Sequence, residues 1–428
     1  MVELTSSFEK RTEPSKLYRW LVLIFVSIAM FGNYYVYDSI SPLADLLAKQ
    51  LNFSDSDIGW LNAIYSLPNI FMVLIGGFII DRLGTRKSSF IFSFLCMIGA
   101  VLTALVPDLT VMATGRLIFG LGAESLIVAV TTVLARWFKG KELSFAFGIN
   151  LTIARMGSFA ALNSPTWAQN YYDNWQAPLL ISIAAATISV LAVIIYMIMD
   201  SNASKKYIVG TEQAQDKIDL KDVLKFDSSF WYIVLLCVTF YSAIFPFQTF
   251  AVKFFIEHHG VTREFGGFLS SLLTFAAMIF TPLFGLLSDK IGKRSLLMVF
   301  GSLMLIPVYL IMMYTKIHLL IPMAIMGISF SLIPAVMWPS VAYIVEESRL
   351  GTAYGLMTMI QNIGLAGFNF LIGWANDFSG SYSLGMWMFS ILGFLGLIFS
   401  LLLRKNEMSQ KGHGLELGMA EREKFKNL

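Results

Sequence analysis

The chain has 428 residues, of which 56% are apolar and only 14% charged, with a formal net charge of +3 and a mean hydropathy of +0.68. Soluble domains run near 45–50% apolar and about 25% charged, so the composition excludes a soluble enzyme, a nucleic-acid binder and a disordered chain. A membrane-spanning helix needs about 20 mostly apolar residues, and twelve of them would use roughly 240, which matches the apolar complement.

Twelve apolar runs follow one another at 18–46, 57–80, 88–106, 110–135, 143–170, 176–199, 229–257, 265–288, 295–314, 317–345, 350–377 and 382–403. The first is long enough to span and is followed by no small-residue cleavage site, so it reads as a transmembrane helix, not a removable leader. Most connections are short. The exception, 200–228, carries Lys205, Lys206, Lys217, Lys221 and Lys225. It divides the chain into an expected six-helix bundle over 1–199, a linker over 200–228 and a second bundle over 229–428. Ile218–Leu224 within it is mildly amphipathic and is expected to lie along the membrane surface. If the N-terminus is cytoplasmic, 25 of the 31 Lys and Arg fall on the cytoplasmic side and four (Lys49, Lys253, Arg263, Lys316) on the other. That bias orients both termini inward. The remaining two, Arg116 and Arg155, lie inside spans.

Cys96 and Cys237 fall in apolar runs with no partner at metal or redox spacing, and His258, His259, His318 and His413 lie at loops or in the tail. No metal, cofactor or catalytic constellation is expected.

The two halves repeat. Gly77-x-x-x-Asp81-Arg82-x-Gly84-x-Arg86-Lys87 follows the second span, and Gly285-x-x-x-Asp289-Lys290-x-Gly292-Lys293-Arg294 follows the eighth, 208 residues on. Ala146-Phe147-Gly148, reaching Gly157, recurs as Ala353-Tyr354-Gly355, reaching Gly364, 207 residues on. Two matches at nearly one offset indicate a parallel repeat of six helices.

The doubled loop resembles the signature of the major facilitator superfamily. Longer strings resemble, more closely, its domain-containing protein 1 group, the lysosomal dipeptide transporters of animals and their microbial relatives. They include Tyr65-Ser66-x-Pro68-Asn69, Gly120-x-Gly122-x-Glu124-Ser125, Ala154-Arg155-x-Gly157-Ser158, Phe245-Pro246-Phe247, Trp338-Pro339 and Gln361-Asn362-x-Gly364. The resemblance implies an all-α membrane protein of twelve helices in two pseudo-symmetric bundles, with a central cavity opening to either side in turn. It implies transport of dipeptides, most simply as a uniporter. It departs at Met1 to Arg19, which lacks an acidic dileucine sorting signal. A microbial cell membrane is therefore the expected address over a lysosomal one, and no accessory subunit is implied.

Charged groups at the bilayer centre cost at least about 2.5–3.5 kcal/mol each, so they mark function or tight pairing. Glu124 and Arg155 stand mid-span, and the repeat offset maps them to Ser331 and Asn362, so the second half does without either charge. A dipeptide is a zwitterion. Glu124 suits its ammonium, and Arg155 suits its carboxylate through two parallel hydrogen bonds; the resemblance implies the same roles. Thr152 and Ser158 share a stripe with Arg155, Thr131 follows Glu124 by seven residues, and Asn362 and Asn369 share a face of the eleventh span. Trp338, Gln248 and the seventh-span aromatics are expected wall residues. Asp38 and Arg116 lie in the non-cytoplasmic halves of their spans and are expected to pair, as a gate or a proton-coupling site. A proton-coupled carrier of another organic anion or amino acid, and a non-transporting nutrient sensor, are the alternatives.

Overall fold

Backbone crossing lipid must satisfy its own hydrogen bonds, and a helix does so within one segment. The computed structural model describes residues 14–138, 142–207, 226–346, 349–410 and 412–418, and its elements are helices. In order they are α1 (Lys16–Asp38), α2 (Ala44–Leu51), α3 (Asp55–Leu105), α4 (Leu109–Phe138), α5 (Leu143–Leu162), α6 (Ser164–Trp167), α7 (Gln176–Lys206), α8 (Ser228–His259), α9 (Arg263–Ile291), α10 (Arg294–Tyr314), α11 (Leu320–Ile344), α12 (Leu350–Ser379) and α13 (Ser383–Glu407). The amphipathic stretch expected at 218–224 lies outside the described residues.

Among the described residues eleven helical stretches are long and apolar enough to cross a membrane. The expected second and third spans are the two arms of α3. They meet at Gly84, whose φ of 76° and ψ of 159° turn the chain within a single residue. Gly292, its repeat equivalent, also has a positive φ of 66°. Both positions need the left-handed region that glycine enters without a Cβ clash, which explains why the two loops share that residue.

Packing follows the repeat. In the first half α1 packs on α5 and α7; in the second, α8 packs on α12 and α13. A Cβ at Gly157 would collide with the Phe31 carbonyl of α1, and one at Gly364 with Val238 of α8. One apolar core is built from residues 230–415, joined by Ala44 and Ile58, and four others lie within 22–203.

At the end of the bundle that carries the termini, each half ties its own helices. Asp200 of α7 is fully buried and takes Arg86 at 3.2 Å, Arg136 at 3.2 Å and the Trp137 Nε1 at 2.9 Å. Its counterpart Glu407 of α13 accepts from Ser229 at 2.8 Å and from the His413 backbone N–H at 2.8 Å. Arg294 pairs with Asp289 at 2.5 Å, and its backbone N–H donates to the Leu415 carbonyl.

Candidate substrate site

A cavity of about 260 Å³ lies between the halves, walled by α1, α3, α4 and α5 on one side and α8, α9, α11 and α12 on the other. Each of these helices contributes polar or aromatic side chains to it. From the first half come Asn33, Tyr34, Tyr37, Asp38, Tyr65, Glu124, Arg155 and Ser158. From the second come Tyr241, Phe245, Gln248, Phe330, Trp338, Thr358, Gln361 and Asn362.

Glu124 and Arg155 thus share one cavity, and Asn362, the repeat equivalent of Arg155, faces them from the opposite half. Among the described residues neither Glu124 nor Arg155 enters an ion pair. Tyr65 stands beside Glu124 in the cavity wall. The Arg155 guanidinium lies over the Tyr34 ring, 5.6 Å from its centroid, and over Phe330, 5.7 Å. Two rings thus flank it, and among the described residues no hydrogen bond takes up its N–H donors, which suit a planar acceptor. Trp338 donates its Nε1–H to the Tyr241 hydroxyl at 3.0 Å, which fixes that wall.

Four expectations meet a different arrangement. Thr131 and Thr152 are exposed and do not line the cavity; their hydroxyls donate to the Ile127 and Gly148 carbonyls one turn back, the usual fate of a helical threonine. Asp38 lines the cavity together with Ser158 and Arg155. Arg116 is buried elsewhere, donating to the Val36, Tyr37 and Leu61 carbonyls and to Asn62 Oδ1 at 3.1–3.3 Å, with the Tyr65 and Phe119 rings at 5.4 Å. Among the described residues no ion pair joins Asp38 to Arg116. The carbonyls satisfy the guanidinium where α1 ends, so it braces the helix terminus.

The wall residues Tyr34, Tyr37, Tyr65 and Phe330 were not anticipated individually. A signal existed for one of them: Tyr34 and Tyr241 are 207 residues apart, so the same ring recurs at the repeat offset on both walls.

Beyond the cavity, at the end away from the termini, the halves are shut by charges that read as loop residues in the sequence. Lys253 of α8 is ion-paired with Asp55 at the start of α3, and Asn376 donates to the same carboxylate at 2.9 Å. Asp377 accepts from the backbone N–H groups of Asp55 and Ser56 at 2.9 and 2.7 Å, capping the α3 dipole. Arg263 at the start of α9 reaches Asp45 of α2 at 2.6 Å and the Tyr172 carbonyl at 3.0 Å. These two bridges are related by the repeat. Asp45 and Lys253 are 208 residues apart, and so are Asp55 and Arg263, with the signs exchanged. Backbone contact follows the same rule: a Cβ at Gly59 would strike the Asn369 carbonyl, and one at its equivalent Gly267 would strike the Leu162 carbonyl. These contacts close that end.

Comparison with known proteins agrees with this architecture. The sequence signature of the Major Facilitator Superfamily matches residues 26–262 and 247–426. The lysosomal dipeptide transporter MFSD1 of Danio rerio is 33% identical over 423 residues, 95% of this chain and 91% of that protein. The Homo sapiens protein of the same name is 32% identical over 430 residues, 97% and 92% of the two. The hexuronate transporter of Escherichia coli K12 is 23% identical, covering 92% and 97%. Among solved structures, the nucleoside transporter NupG superposes with a TM-score of 0.74 at 14% identity, covering 90% of this chain and 99% of that one. A bacterial homologue of the human lysosomal transporter Spinster, inward-facing and unoccupied, gives 0.74 at 16%, covering 92% and 98%. With its doubled signature loop, two helical halves and a polar cavity between them, the chain belongs to the major facilitator superfamily of membrane transporters.

Proposed function

We propose that the protein carries dipeptides across its membrane by alternating access, as a uniporter, with Glu124 holding the peptide ammonium and Arg155 its carboxylate. The observation that carries this reading is the pair itself: one half-buried anion and one half-buried cation line a single cavity, and neither is spent on an ion pair among the described residues. The MFSD1 relatives support the same substrate class. The moving units are then residues 1–199 and 229–428, linked by 200–228, with both termini cytoplasmic as the Lys and Arg distribution demands. The closed end faces away from the cytoplasm, and the address proposed is a microbial cell membrane.

The test is a thermal-shift screen of dipeptides on purified protein, followed by uptake into liposomes. Dipeptides should stabilise the wild type, and Glu124→Gln and Arg155→Lys should each abolish that effect while staying monodisperse. N-acetylation or C-amidation should weaken binding by about a hundredfold, because each leaves one buried charge unpaired. Unimpaired binding of an N-acetylated peptide would replace this reading with an organic-anion carrier. The position of Asp38 in the same cavity favours one second reading, proton-coupled symport. Dipeptide accumulation driven by a proton gradient alone, and lost in Asp38→Asn, would select it.

A further inference from the structure

A line of ring contacts joins the two charged residues of the site and crosses between the halves twice. Tyr65, beside Glu124 in the cavity wall, meets Tyr37 edge-on at 4.9 Å. Tyr37 meets Phe245 of the opposite half at 6.2 Å, and Phe245 meets Phe330 at 5.9 Å, both edge to face. Phe330 then returns to the first half by lying against the Arg155 guanidinium. Phe330 is 3% exposed, and its side chain has no polar atom with which to bind a peptide terminus.

We infer that Phe330 is a positioning residue for the substrate carboxylate: its ring lies against the Arg155 guanidinium from the opposite half and holds the group where its N–H donors serve the cavity. A ring attracts a guanidinium without offering an oxygen that would compete with a carboxylate for it. Tyr34 supplies one such contact from Arg155's own half, and that contact moves with it. Phe330 supplies the contact from the other half. The guanidinium is therefore fully held only in an arrangement of the halves that brings Phe330 to it, and the strength of the carboxylate subsite becomes a property of conformation. This assignment rests on the reading of Arg155 as the carboxylate ligand.

The experiment is a double-mutant cycle using dialanine as the probe, with affinity read by calorimetry on detergent-purified protein. Phe330→Leu should weaken dialanine binding roughly fivefold, the scale of one partly desolvated cation–π contact. Phe330→Tyr, which keeps the ring, should bind as the wild type does. In an Arg155→Lys background, where the residual binding is read at higher dialanine concentration, Phe330→Leu should cause no further loss. Phe330→Met, close in volume but not aromatic, repeats the test if the leucine variant folds poorly. Equal losses from Phe330→Leu with and without the Arg155→Lys change, that is, full additivity in the cycle, would assign Phe330 to general packing and overturn the inference. Wild-type affinity in both non-aromatic variants would do the same. If dialanine binding is indifferent to Arg155→Lys, the dipeptide reading itself fails, and this assignment falls with it.

Discussion

The two ends of the molecule use charge in opposite ways. At the end away from the termini, Asp55 with Lys253 and Asp45 with Arg263 tie one half to the other. At the end bearing the termini, Asp200 gathers Arg86 and Arg136, and Glu407 gathers Ser229 and His413, each within its own half. An ion pair that crosses the halves must break when they part, whereas one inside a half moves as part of a rigid unit. Under the alternating-access reading proposed above, the former would act on the balance between conformations, and the latter on the stability of each bundle.

Three substitutions would break or sharpen that contrast. The largest effect is expected from Asp55→Lys, which sets two cations together where both native side chains are at most 10% exposed. Breaking a buried pair in this way costs about 3–5 kcal/mol, so the closed-to-open ratio of the outer end should fall by roughly a hundredfold or more. A cysteine placed at Gln248, 6% exposed in the closed state, reports this through faster reaction with an impermeant maleimide. The double exchange Asp55→Lys with Lys253→Asp should recover most of the protection. Recovery will be incomplete, because an acid suits the first turn of α3 and a lysine does not.

Arg263→Ala should act in the same direction but more weakly, about tenfold in labelling rate. Asp45 keeps Lys49 at 3.3 Å after the arginine is gone, so its charge is not left bare. The smallest effect on labelling is expected at the other end. Asp200→Asn should leave the Gln248→Cys rate unchanged and instead lower the thermal midpoint by a few degrees, since it removes a buried acceptor from two arginines and a tryptophan. Faster labelling in Asp200→Asn would erase the distinction between the two ends.

Much of this was legible in the sequence, for identifiable reasons. The helices follow from apolar runs of spanning length. Glu124 and Arg155 stand out because a charge deep in such a run is rare. The charged loop over 81–87 is legible in the sequence, but that its turn is confined to Gly84, with helix on both sides, is not, because residue type does not show how tightly a loop turns. Asp55, Lys253 and Arg263 were invisible for the opposite reason: near span ends a charge is unremarkable, and they counted only toward topology. The offset of 208 that exposed the signature loops also relates these charges to one another, and applying it to span ends would have found the latches. Arg116 misled because an arginine inside a span invites a carboxylate partner, whereas free carbonyls at the end of α1 serve as well. The rings beside Arg155 were lost among 36 phenylalanines and 16 tyrosines, most of them facing lipid or packing.

The exchanged signs of the two latches bear on how the halves recognise each other. Two units joined by a two-fold axis make each contact twice, residue to partner and partner to residue. Identical units would therefore carry an acid and a base apiece. Here the acids, Asp45 and Asp55, both sit on the first half, and the bases, Lys253 and Arg263, both sit on the second. Two copies of the first half, docked in the same geometry, would set Asp45 against Asp55 at both contacts, and two copies of the second would set Lys253 against Arg263. Like charges facing one another across a buried interface cost several kcal/mol. The rim charges therefore favour the union of a first half with a second over either like-with-like pairing.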